Sequence, residues 1–145
     1  MSSVTSNQEV VVDTNVYIHA VIQDSAKHRE ARNLIGSFSK IHLPIIVIYE
    51  IVWALRKLGL NGDKINEVLE SIINDSRVKV VPDEAGKNSL QAMHHIISEK
   101  IDTANFNDKV ILATALGLKL PIVTYDRELK KEASARGLET ITSIQ

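Results

Sequence analysis

Short apolar runs alternate along the chain with segments in which apolar residues recur at helical spacing. The runs predict β-strands at Glu9–Asp13, His42–Ile46, Val78–Val81, Pro121–Thr124 and Leu138–Ile141. Helical spacing predicts helices at Thr14–Ile22, Ala26–Phe38, Val47–Leu58, Asp63–Asn74, Ala85–Lys100, Asp108–Leu116 and Arg127–Ala135. Three of the helical runs are followed by a glycine of the kind that ends helices, Gly59, Gly117 and Gly137. Alternating short strands and helices are typical of βαβ units, so we expect an α/β fold with a parallel sheet.

Four acidic residues interrupt or adjoin these apolar segments. Asp13 ends a run of three valines, and Asp126 follows the fourth predicted strand. Glu50 lies inside a long apolar stretch, and Asp108 opens an apolar helix. A buried carboxylate without a partner is costly, and the sequence offers these acids no obvious basic partners. Together they indicate a site for a divalent metal ion.

The position of the acids supports a shared site. In a parallel sheet the ligand crevice lies outside the carboxyl ends of the strands, where Asp13 and Asp126 both lie. Glu50 and Asp108 are near helix starts that can reach the same edge. Oxygen ligands of this kind suit Mg²⁺ or Mn²⁺. The alternative is that each aspartate merely caps a helix, which the sequence alone leaves open.

Composition narrows the class of protein. The chain has 145 residues, a formal net charge of −1 and no cysteine, which excludes disulfides and zinc–thiolate sites. The charge also argues against nucleic-acid binding driven by bulk electrostatics. No apolar run reaches the roughly 18 residues of a membrane span, and the first residues lack the features of a signal peptide. We expect a flexible tail at residues 1–8, one domain at residues 9–145, and a cytoplasmic location.

Other polar and aromatic residues carry weaker signals. The histidines are scattered or adjacent, without the spacing of a zinc pair, and are expected to have surface or packing roles. Lys57 follows Glu50 by two helical turns, so it could reach a phosphate at the rim of the acidic site. The aromatic residues near the acids are expected to pack into the structure; they are Tyr17, Tyr49, Trp53 and Tyr125.

Four sequence segments resemble the PIN-domain nucleases, and most closely the VapC-type ribonuclease toxins of toxin–antitoxin pairs. They occur in the order and spacing of that family and span nearly the whole chain. The segments are Val11-Val12-Asp13-Thr14-Asn15, Pro44 through Glu50 into Val52-Trp53-Ala54-Leu55-Arg56, Asp108-Lys109-Val110-Ile111-Leu112-Ala113-Thr114-Ala115, and Val123-Thr124-Tyr125-Asp126. Two positions depart from the commonest family pattern, Leu112 in place of a small residue and Asn107 before Asp108.

The resemblance implies a three-layer α/β/α sandwich around a parallel sheet with strand order 3-2-1-4-5. It also implies an endoribonuclease that uses Mg²⁺ or Mn²⁺ and leaves a 5′-phosphate and a 3′-hydroxyl. By the same resemblance Asp13, Asp108 and Asp126 hold the metal, while Glu50 completes the shell or takes the proton of water. A homodimer and a small antitoxin that blocks the crevice are the implied protein partners.

Two further residues are candidate substrate contacts. Lys57 is a candidate because of its place on the helix that carries Glu50. Thr124 is a candidate because it precedes Asp126 in the last of the four segments.

Two alternatives to the toxin prediction remain. One is a PIN-domain module that serves RNA processing without a toxin role. The other is a receiver-type signalling domain, which also uses acids and Mg²⁺ at strand ends. That class needs a paired acid after the first strand and a lysine after a late one. Here Asp13 is followed by Thr14 and Asn15, and no lysine ends the fourth strand.

Overall fold

Helices flank a five-stranded parallel sheet in the computed structural model, which describes residues 7–144. The strands are β1 (Glu9–Val12), β2 (Lys40–Pro44), β3 (Val78–Val81), β4 (Ile122–Val123) and β5 (Thr140–Ile141). The α-helices are α1 (Thr14–Val21), α2 (His28–Ile35), α3 (Ile45–Lys57), α4 (Gly62–Ile73), α5 (Lys87–Glu99), α6 (Phe106–Leu118) and α7 (Arg127–Ala135). Short 3₁₀ turns at Glu84–Gly86 and Thr103–Asn105 precede α5 and α6. Of the predicted N-terminal tail, residues 1–6 lie outside the described part of the chain.

The strand order is β3-β2-β1-β4-β5, and every neighbouring pair is parallel, which confirms the predicted topology. The central strand β1 is buried on both faces, so all three of its valines are 0% exposed. This explains why it appears in the sequence as a continuous apolar run without polar alternation. The sheet is uneven, because β4 and β5 contain 2 residues each whereas β2 contains 5.

Connections between parallel strands are right-handed, which assigns the helices to two faces of the sheet. The chain moves from β1 to β3 through α1–α4 and then returns across the sheet to β4 and β5 through α5–α7. Helix α1 packs against α2 and α3, whereas α6 packs against α5 and α7. The fold is therefore the predicted three-layer sandwich. Within residues 7–144, no helix is long and apolar enough to cross a membrane.

Two local predictions were wrong, each for a backbone reason. The sequence predicts Ile45 and Ile46 in a strand, but they open α3, because Pro44 has no N–H to continue the ladder and instead stands before the helix. The sequence also predicts Gly117 after the end of its helix, but α6 continues through it to Leu118. The helix ends at Lys119, which takes the left-handed conformation at φ 58°. Gly137, with φ 81°, does occupy the helix-terminating position predicted for it.

A buried ion-pair cluster joins the helices on one face of the sheet. Lys109 of α6 is 0% exposed, and its Nζ donates to Glu99 Oε1 of α5 at 2.9 Å. The same ammonium also donates to Glu132 of α7, and Arg136 of α7 donates to Glu99. A buried lysine requires such partners, since an unpaired charge in the interior is costly. The cluster fixes the first turn of α6, and thereby the position of Asp108.

We expect Lys109→Met to lower the free energy of unfolding by about 1–3 kcal/mol, because both glutamates lose their buried cation while little packing volume is lost. Urea denaturation near pH 7 measures the change. Hydrogen bonding to Lys109 lowers the pKa of Glu99 below its usual 4.5, so this stabilisation is present above that pH and is lost as the pH falls below it.

Lys64→Met is the matched control, because Lys64 pairs with Glu67 on the exposed surface of α4 at 3.4 Å. An exposed pair of this kind contributes about 0–1 kcal/mol. Equal stability losses in the two variants, or a loss for Lys109→Met that persists in acid, would show that the cluster does not stabilise the helix interface electrostatically.

Candidate active site

A cavity of about 480 Å³ lies at the carboxyl edge of the sheet, beside the ends of β1 and β4. These strands are neighbours, and the backbone N–H of Asp13 donates to the carbonyl of Val123 at 2.9 Å. Helices α3 and α6 contact each other at the same place. As a result, all four predicted acids line the same cavity. The lining residues are Asp13, Thr14, Asn15, Ile18, His19, Glu50, Trp53, Ala54, Lys57, Asn107, Asp108 and Asp126.

Asp13 is the most deeply placed of the four acids, with 4% of its surface exposed. Its Oδ1 accepts from the backbone N–H of Thr14, and its Oδ2 accepts from the Thr124 hydroxyl, both at 2.7 Å. Burial, together with the charges of Glu50 and Asp126, raises the pKa of Asp13 to about 6 despite these bonds. Asp13 is thus both a helix cap and a member of the acidic site, so the two interpretations of the sequence are not exclusive.

The pKa of Asp108 is raised more strongly than that of Asp13. Asp108 lies half-buried in the first turn of α6, where a helix N-terminus favours negative charge by about 0.3–1 kcal/mol. Burial nevertheless raises its pKa to about 7, with additional contributions from Asp13, Asp126, Glu50 and Glu132. No group within residues 7–144 donates a hydrogen bond to its carboxylate. Asp108 is therefore the acid whose charge the site compensates least.

Glu50 is held by neutral donors. It is half-buried on α3, where its Oε1 accepts from the Thr14 hydroxyl at 2.5 Å and its Oε2 accepts from Asn107 Nδ2 at 3.1 Å. These bonds join α3 to the first turns of α1 and α6. In the sequence, Thr14 and Asn107 are distinguished only by their position next to Asp13 and Asp108. Both residues orient a carboxylate that would otherwise rotate freely.

Asp126 caps α7, as the alternative interpretation expected, and also lines the cavity. Its Oδ1 accepts from the backbone N–H groups of Glu128 and Leu129 at 2.8 and 3.1 Å. Its own N–H donates to Thr124 Oγ1 at 3.0 Å. Thr124 is fully buried behind Asp13 and is not part of the cavity wall. This placement favours a positioning role for Thr124 over the substrate contact expected from the sequence.

The other residues that line the cavity include Lys57 and the rings of His19 and Trp53. Lys57 lies exposed at the rim, on the same helix as Glu50, as the sequence predicted. His19 lines the wall and meets Tyr125 edge to face at 5.5 Å, a role that its isolated position in the sequence did not indicate.

The aromatic residues near the four acids are predicted from the sequence to pack into the structure. This prediction is confirmed for Tyr17, which is 4% exposed, and wrong for Tyr49 and Trp53, which are 55% and 59% exposed.

The donor set fits a hard divalent cation by charge and by chemistry. Four carboxylates face one lysine, and two of them have pKa values raised by burial and by like charges, so a positive ion would relieve the repulsion. All donors are oxygen atoms, the type that Mg²⁺ and Mn²⁺ prefer. The side chains do not stand as a finished cage, since among the described residues no three acids or histidines are already placed around one point. Binding would therefore require carboxylates to turn toward the ion.

Comparison with known proteins connects this geometry to a family. A family model described as the PIN domain matches residues 10–134, a stretch that includes all four acids. No curated protein sequence matches the chain significantly.

Several solved structures share the fold. VapC20 of Mycobacterium tuberculosis, described as a sarcin-ricin loop cleaving toxin, has a TM-score of 0.72 at 18% identity, covering 89% of this chain and 95% of that one. VapBC2 from Rickettsia felis, bound to a DNA fragment from its promoter, has a TM-score of 0.66 at 16% identity, with coverage of 92% and 97%. DNA-bound VapBC from Salmonella typhimurium has a TM-score of 0.65 at 20% identity, with coverage of 92% and 96%. At these identities the likeness is one of fold.

The raised pKa values predict how stability depends on pH in EDTA. Between about pH 4 and 7 the folded protein keeps protons on Asp108 and Asp13 that the unfolded chain has released, so the free energy of unfolding falls as the pH rises. We expect Asp108→Asn to match the wild type near pH 4 and to be the more stable protein near pH 8, as measured by urea denaturation.

Asp63→Asn is the matched control, because Asp63 is an exposed aspartate in the first turn of α4. Its loss should lower stability slightly, through the helix dipole, without any gain at high pH. An Asp108→Asn protein less stable than the wild type near pH 8 would mean that the Asp108 charge stabilises the fold, contrary to the repulsion described.

Proposed function

The chain belongs to the PIN-domain family of nucleases, and on that premise we propose that it is an endoribonuclease dependent on Mg²⁺ or Mn²⁺. The observation that carries the proposal is the convergence of Asp13, Glu50, Asp108 and Asp126 on one cavity at the sheet edge. The metal-free cavity is strongly acidic and would repel an RNA phosphate. A bound divalent ion would supply the positive charge that attracts the phosphate and activates water for attack.

The side chains that line the cavity have different proposed roles in the reaction. Asp13, held by Thr14 and Thr124, presents a fixed carboxylate, and Asp108 and Asp126 complete the set of proposed metal ligands. Glu50 is oriented on both oxygens by neutral hydrogen bonds, so it is placed to accept the proton of the attacking water. Attack on phosphorus breaks the bond to the 3′ oxygen, leaving a 3′-hydroxyl and a 5′-phosphate. Lys57 at the rim is the proposed contact for a neighbouring phosphate.

The proposal extends to a role as the toxin of a VapBC-type pair in the cytoplasm. Support comes from the similarity of fold to VapC20 and to two VapBC assemblies. In this role the chain forms a homodimer, and a small antitoxin protein covers the acidic cavity. A gene for a small DNA-binding protein beside the gene for this chain, and inhibition of cleavage by its product, would support the pairing.

We expect Asp13→Asn and Asp108→Asn each to lower cleavage of single-stranded RNA at least about 100-fold, the scale seen when a key electrostatic group is removed. The assay measures cleavage of a labelled RNA with Mn²⁺ present, and EDTA should abolish the activity of the wild type. Asp63→Asn should cleave at the wild-type rate. Full activity in Asp108→Asn would remove Asp108 from the proposed site.

Metal binding should also be visible without activity. A divalent ion binds the folded cavity and not the unfolded chain, so millimolar Mn²⁺ should raise the melting temperature of the wild type by mass action. Asp13→Asn and Asp108→Asn should show a much smaller shift than the wild type, whereas Asp63→Asn should show the full shift. If Asp13→Asn kept the full shift, Asp13 would serve only as the cap of α1.

A further inference from the structure

Helix α3 carries two large aromatic side chains on its solvent side. Tyr49 is 55% exposed and Trp53 is 59% exposed, whereas Val47, Ile51 and Leu55 on the opposite face are 0% exposed. The two aromatics are four residues apart and therefore share one face of the helix. Exposed aromatic surface of this size, next to a functional cavity, is characteristic of a binding surface.

The two aromatics differ in their relation to the acidic cavity. Trp53 lines it together with Ala54 and Lys57, one helical turn beyond Glu50, whereas Tyr49 does not line it. Trp53 therefore stands where a substrate that enters the cavity must pass. Tyr49, one turn earlier on the same helix, provides an internal comparison for any experiment on Trp53.

Two cationic residues follow Trp53 along α3, and one of them lies over its ring. The Arg56 guanidinium lies 5.5 Å from the centroid of the ring, and Lys57 is the next residue along the helix. Both side chains are exposed, and neither forms an ion pair within residues 7–144. We name Trp53, Arg56 and Lys57 the Trp53 rim. An aromatic ring bordered by free cations is the combination that binds single-stranded nucleic acid, with bases on the ring and phosphates on the cations.

We propose that Trp53 stacks on an unpaired RNA base next to the bond that is cut, and that Arg56 and Lys57 bind the phosphates beside that base. The inference rests on the proposed nuclease function and names the side chains that contact the unpaired strand. In a duplex the bases are stacked on each other and cannot reach the ring. The positive charge of the rim also offsets the acidic cavity, so the phosphate backbone can approach from this side.

The charge of the surface favours RNA over a protein as the occupant. A protein partner seated on this face would cover Tyr49 and Trp53 together and would need an acidic complement for the two cations. RNA uses Trp53, Arg56 and Lys57, and leaves Tyr49 outside the contact. The two occupants therefore predict different effects for variants at positions 49 and 53.

Trp53 is the single tryptophan of the chain, so intrinsic fluorescence reports on it directly. The test titrates Glu50→Gln protein, which lacks the proposed proton acceptor but keeps the three proposed metal ligands, with a short single-stranded RNA in the presence of Mg²⁺. We expect the RNA to quench Trp53 fluorescence to saturation. A duplex of the same sequence and an abasic strand of equal length should not quench it, because neither offers a free base.

Variants made in the same background locate the contact. By anisotropy of a labelled RNA, Trp53→Ala should bind about tenfold more weakly, Trp53→Phe should retain most of the affinity, and Tyr49→Ala should bind as before. Lys57→Ala should reduce the salt dependence of binding without preventing quenching, and Lys64→Ala is its control. Since Tyr49 and Trp53 are exposed, thermal melts should confirm that these variants remain folded.

The outcomes separate this inference from the proposed function. Metal-dependent cleavage of single-stranded RNA by the wild type, without quenching in Glu50→Gln, would overturn the role of Trp53 and leave the nuclease intact. Quenching without any cleavage by the wild type would support the rim as an RNA contact and overturn the nuclease. If Tyr49→Ala and Trp53→Ala instead disrupted self-association and left RNA affinity unchanged, the face would be a protein interface and the inference would be wrong.

Discussion

Mutual repulsion among four carboxylates is the constraint around which this molecule is organised. Water would screen such charges if they were spread over the surface, but here one of them is almost fully buried and the others share its cavity. The cost of burying these carboxylates, to which the like charges add, is visible in the pKa values of Asp13 and Asp108, about 6 and about 7. The remainder of the fold must be stable enough to keep these groups together, and an active site of this kind trades stability for function.

The fold meets the constraint with neutral hydrogen bonds inside the cavity and with cations outside it. Thr14, Thr124 and Asn107 hold carboxylate oxygens without neutralising them, so the site keeps its negative charge. The buried cation Lys109 is placed one residue beyond Asp108, on a different face of α6, where it pairs with Glu99 and Glu132. Its charge stabilises the packing of three helices and leaves the four acids free to attract an ion. Of these two neighbours on α6, Asp108 adds negative charge to the cavity, whereas Lys109 neutralises glutamates between the helices.

Much of this arrangement could be predicted from the sequence, because strand ends are easy to recognise and parallel sheets bring their carboxyl ends together. Asp13 and Asp126 follow from that rule alone. The exposure of Trp53 could not be predicted, because the apolar stretch around it supplies more large side chains than one helix face can bury. Nor could the burial of Lys109, because partners 10 and 23 residues away are brought to it only by tertiary packing.

The uneven sheet has a consequence for how the molecule loses its function. Asp126 is supported by β4 and β5, which pair through only two residues each, whereas β2 and β3 pair through four. Regions with few backbone bonds open locally at a lower free energy than the global unfolding of a domain. Opening of the edge strand β5 would break the hydrogen bond that the Thr124 N–H donates to the Ile141 carbonyl, while the buried strands β1 and β4 stayed closed. The segment that carries Asp126 can then loosen without global unfolding, and it is held again when β5 closes.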